Sequence, residues 1–129
     1  MGKFIAIVGL KGPIPADFAD QPAPDPQMFG MPTEDDGSRE DPLFTALINL
    51  TSYEPDFEAL RAPATRLVMA AGEESEGILA ARGAAAVAER LGTNVVLFPG
   101  DHGGFFGGEY GQTGKPDEFA AKLREVLDT

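Results

Sequence analysis

The sequence predicts an α/β protein: a βαβ unit with parallel strands and a terminal helix, preceded by a Pro-rich, lid-like segment. Three observations predict it. Two short apolar runs, "TRLVMAA" (65 to 71) and "NVVLF" (94 to 98), flank an amphipathic stretch. A second amphipathic stretch follows near the C-terminus, and prolines crowd residues 13 to 42. Strands alternating with helix-length periodic segments point to parallel pairing and a right-handed crossover.

Taken in order, "GKFIAIVGLKG" is a short apolar run between glycines, which suits a buried strand or a helix end equally. From Pro13 to Pro42 the repeated prolines forbid long helix and central strand, which leaves a long loop or lid. Its Phe18, Met28, Phe29 and Met31 would drape it over a partner surface. "DPLFTALINL" (41 to 50) predicts a helix with Asp41 as N-cap, Pro42 in the first turn, and Leu43, Leu47 and Leu50 at helical spacing. Another helical turn is expected from Pro55 to Leu60, before Pro63. Residues 65 to 71 and 94 to 98 read as strands buried on both faces. Between them Ile78, Ala81, Ala84, Ala85, Val87, Ala88 and Leu91 form an apolar stripe, and Gly92 is placed to cap its C-terminus. After a Gly-rich loop, "KPDEFAAKLREVL" has Pro116 near its start, acids in the first turn, and Phe119, Ala120, Leu123, Val126 and Leu127 on one face. The chain thus divides into a lid-like or linker segment, 1 to 62, and an α/β part, 63 to 129. Two parallel strands leave bare edges, so further structure must complete the sheet or the edges must pair with another copy.

Composition narrows the function. With 129 residues and 43% apolar content the chain suffices for one core, whose aliphatic runs lie mainly in the second half. The net charge of −11 repels phosphate backbones and anionic lipid, which argues against nucleic acid and membrane partners. The absence of cysteine excludes thiolate nucleophiles and Cys-based zinc sites and fits a cytoplasmic protein. The N-terminus has no signal-peptide pattern, and its apolar run is too short to span a bilayer. Neither a metal nor a cofactor is expected. "PTEDDGSRED" lacks the spacing of a calcium loop, and "IAIVGLKGP" lacks the Gly-Lys-Ser/Thr ending of a phosphate loop.

Chemistry concentrates beyond the carboxyl ends of the two strands, where ligands collect in parallel sheets. "GEESEG" (72 to 77) follows the first strand, and "PGDHGG" (99 to 104), with the only histidine, follows the second. Adjacent parallel strands would bring Glu73, Glu74 or Glu76 near His102. A carboxylate on one imidazole nitrogen frees the other to accept a nucleophile's proton. The plainer alternatives are a structural histidine and an acidic helix start.

The order strand, Gly-acid cluster, helix, strand, "PGDHGG" and terminal helix resembles the C-terminal part of the α/β-hydrolase superfamily, over residues 63 to 128. Residues 1 to 62 are more weakly similar to the lid of Ala- and Gly-rich actinobacterial members. The resemblance implies a serine hydrolase acting on a small ester or other acyl substrate, with His102 as triad base and Glu74 or Glu76 as acid. The family's commonest acid position falls on Ser75. The chain departs from the family upstream: its serines, Ser38, Ser52 and Ser75, form no Gly-x-Ser-x-Gly elbow. A chain starting inside the lid would be inactive alone, requiring an N-terminal half that brings nucleophile and oxyanion hole. The alternative is a non-catalytic interaction module that self-associates through its strand edge or complements a separate half.

Overall fold

The computed structural model describes residues 2 to 25, 27, 33 to 34, 37, 42 to 62 and 64 to 129. It is a mixed α/β structure. Helix α1 (Gly2–Val8), α2 (Pro42–Thr51) and α3 (Phe57–Arg61) precede strand β1 (Ala70–Gly72). Then come a 3-10 turn (Glu73–Ser75), α4 (Leu79–Leu91), β2 (Val96–Phe98), a second 3-10 turn (Glu109–Gly111) and α5 (Pro116–Leu127).

The two strands are adjacent and parallel, with Ala70 opposite Val96, Ala71 opposite Leu97 and Gly72 opposite Phe98. They are shorter than expected from residues 65 to 71 and 94 to 98. A strand lasts only as long as its partner, and before Ala70 only Met69 contributes, accepting from the Val96 N–H at 2.8 Å. Nor are they buried on both faces: Phe98 is buried, whereas Leu97, pointing to the opposite face, is 54% exposed.

The run at the N-terminus, open between strand and helix, is helical. A helix satisfies its own backbone, whereas a strand there would need a neighbour. The described part of the Pro-rich segment turns back on α1. Lys3 donates to the Ala19 carbonyl, and Gly2 lies so close to Pro24 that an added Cβ would stand 2.9 Å from its carbonyl oxygen. Lys11 forms an antiparallel bridge with Ile78, and Arg82 donates to the Gly12 carbonyl, fastening this end to the start of α4. Asp41, Met28, Phe29 and Met31 fall outside the described residues.

Helix α4 buries Ala88 and half-buries Val87 and Leu91, but Ala85 of the expected stripe is exposed. Gly92, at φ 73°, ends the helix in the left-handed conformation, its N–H bonding to Glu89 at 3.0 Å. The buried apolar side chains among the described residues are Phe57, Ala88 and Phe98. Phe98 packs on Phe119 of α5 at 4.9 Å between ring centres, and the Arg90 guanidinium lies 3.8 Å above the Phe57 ring. The outer half of α5's apolar face is uncovered, with Leu127 70% exposed. No helix among the described residues is long and apolar enough to cross a membrane.

Candidate functional site

Because β1 and β2 run parallel, their carboxyl ends lie on one rim, and the loops leaving them touch. The Glu74 N–H donates to the Gly100 carbonyl at 3.0 Å. Glycine makes the approach possible. A Cβ on Gly72 would stand 2.5 Å from the Asp101 oxygen, and one on Gly104 would stand 2.4 Å from the Pro99 oxygen. A Cβ on Gly114, just before α5, would meet the Gly104 oxygen at 2.5 Å. Inside the turn, Gly100 takes φ +86°, a conformation open to glycine. The Asp101 side chain accepts from the Gly103 N–H at 2.7 Å, and its carbonyl accepts from the Gly104 N–H at 3.1 Å. The turn that carries His102 is therefore fixed largely through main chain.

His102 itself is exposed at the rim. Among the described residues no hydrogen bond or ion pair joins its ring to Glu73, Glu74 or Glu76, all three of which are exposed. Glu74 instead pairs with Lys115, whose Nζ is 2.6 Å from Glu74 Oε1. That hydrogen bond and the carboxylate's charge hold the ammonium above its ordinary pKa of 10.5. Between the glutamates, Ser75 is 2% exposed and its Oγ has no hydrogen-bond partner.

The reading of these acids as the start of α4 needs correction. Glu73 and Glu74 belong to the 3-10 turn, Glu76 follows it, and the first turn of α4 contains no acid. Gly77, at φ +82°, separates the two elements. Of the serines, Ser52 is exposed beyond α2 and Ser38 lies outside the described residues. Among the described residues no group of three or more His, Asp or Glu side chains is gathered to hold a metal ion.

The structure thus brings together the two loops the sequence singled out. It adds Lys115, which sequence reasoning missed, since nothing in "TGKPDE" indicates a contact 41 positions away. Beyond the loop, the Phe105 ring lies tilted against Phe106 and edge-on to Phe119, at 4.5 and 5.9 Å between ring centres, next to the histidine turn. In comparisons with known proteins, no family model, curated protein or solved structure matches this chain.

Proposed function

We propose that the chain is the base-and-acid half of an α/β-hydrolase-type serine hydrolase acting on an ester or related acyl substrate. In this reading His102 is the general base and Glu74 or Glu76 orients it. The observation that carries the reading is the direct contact of the two loops at the carboxyl edge of the parallel pair, through Glu74 N–H and Gly100 O. That contact puts an acid-bearing turn and an imidazole-bearing turn side by side; relay to a nucleophile further requires one of these carboxylates to turn onto the imidazole, and Glu74 would have to leave Lys115 to do so. The nucleophile comes from elsewhere. Ser75 Oγ is enclosed, and none of Ser38, Ser52 and Ser75 stands in a Gly-x-Ser-x-Gly elbow, so in this reading the chain alone performs no acyl transfer.

Complementation tests this. The chain is mixed with a segment bearing strand, Gly-x-Ser-x-Gly and helix, encoded next to its gene. Ester hydrolysis in the mixture only, abolished by His102→Ala, supports the proposal. Turnover or fluorophosphonate labelling of the chain by itself, activity that survives His102→Ala, or the lack of any such coding segment overturns it.

A second reading, a non-catalytic interaction module, draws support from the sheet. The outer edges of β1 and β2 have no strand partner among the described residues, and Leu97 is exposed beside them. Light scattering that finds a dimer or larger assembly supports it, and a monomer with slow amide exchange in both strands counts against it.

A further inference from the structure

The contacts around the histidine turn form a closed ring. At the start of the turn, Gly100 O accepts from the Glu74 N–H at 3.0 Å. At its end, Gly104 O accepts from the Lys115 N–H at 2.8 Å. The side chains of those two donors pair with each other, Lys115 Nζ to Glu74 Oε1 at 2.6 Å. Two glycines repeat the pattern: Gly72 abuts Gly100 and Asp101 from the β1 side, and Gly114 abuts Gly103 and Gly104 from the α5 side.

We infer that Lys115 and Glu74 are positioning residues that hold the His102 turn at the rim of the sheet, Lys115 being a member of the site that neither the motif nor the family resemblance supplies. The inference rests on the proposed hydrolase reading for its purpose, but its test concerns only the geometry of the turn. Both side chains are about half exposed, 43% for Lys115 and 57% for Glu74, so the pair acts by restricting the turn more than by adding stability. Screening by salt should loosen it.

The experiment is amide exchange and 15N relaxation on the full chain. In Lys115→Met and Glu74→Gln, exchange at the Glu74 and Lys115 amides should speed up about threefold, the scale of an exposed ion pair. Order parameters across residues 101 to 104 should fall, while the Val96 amide keeps its protection. Lys115→Arg should restore the wild-type values. Lys122→Met, which removes the Lys122–Glu125 pair on α5, should leave the turn unchanged. The inference is overturned if the turn amides behave alike in wild type and Lys115→Met, or if protection falls equally at Val96. Where a single variant does not fold, Glu74→Lys combined with Lys115→Glu decides: a rigid turn supports the inference, and a loose turn in a folded protein refutes it. Failure here with successful complementation removes the clamp alone.

Discussion

Gly72 and Asp101 approach so closely that a single methyl group at position 72 would stand 2.5 Å from the Asp101 carbonyl oxygen. The neighbours are backbone, so they cannot swing aside as a side-chain tip could. Gly72→Ala should therefore destabilise the protein by about 1–3 kcal/mol and shift the amide resonances of residues 100 to 104. Gly83, on the exposed side of α4, is the contrast, because nothing lies within 4 Å of a Cβ built there. Gly83→Ala should raise stability by roughly 0.5–1 kcal/mol. Urea midpoints for the two variants should move in opposite directions.

Ser75 offers a test of a buried polar atom. Its hydroxyl is enclosed without a partner, and an unsatisfied buried group typically costs about 1–3 kcal/mol. Ser75→Ala should leave stability unchanged or raise it by about 1 kcal/mol. A loss of similar size in denaturant unfolding would mean that the hydroxyl is bonded in solution.

Asp56 caps α3, its Oδ1 accepting from the N–H groups of Glu58 at 3.0 Å and Ala59 at 2.9 Å. The helix has only five residues, so this cap is a large share of what fixes it. Asp56→Ala should cost about 0.5–2 kcal/mol and raise exchange at the Glu58 and Ala59 amides. Asp56→Asn should retain most of the protection.

Acid should loosen the loop before α5. Glu109 is held below its ordinary pKa of 4.5 by its own N–H and by that of Gly107, which lies 2.6 Å from Oε2. A lowered folded-state value means that the ionised form favours the folded loop. That contribution is complete above pH 4.5 and is lost as pH falls through the depressed value. The Gly107 amide resonance should titrate with a midpoint below 4.5, and a midpoint at or above it would contradict the contact. Lys115 has the opposite sign: its raised pKa makes its contribution complete below pH 10.5 and lost at higher pH.

Much of the second half was legible because α4 and α5 are long enough to show a helical period, and Gly92 stands where a left-handed cap is required. Adjacent parallel strands followed from the same pattern. Strand length was not legible, because it depends on what lies alongside and not on the apolar run itself. The ambiguity of residues 3 to 10 has the same origin: apolar composition is common to both elements, and only the absence of a pairing neighbour among the described residues leaves the helix. At the site, the glycines of "PGDHGG" announced a tight turn, but not that Gly72 and Gly114 would close on it from both sides. That Glu74 is held by Lys115 was not legible either, since the contact arises from tertiary packing.

The imidazole projects into solvent from a turn whose fixings all belong to other residues. Removing it should leave the scaffold intact, so any function lost with His102→Ala is attributable to chemistry. The converse operation is also available. One carbon atom added at position 72 instead displaces the platform together with the histidine it carries, so the two variants separate loss of the imidazole from its misplacement.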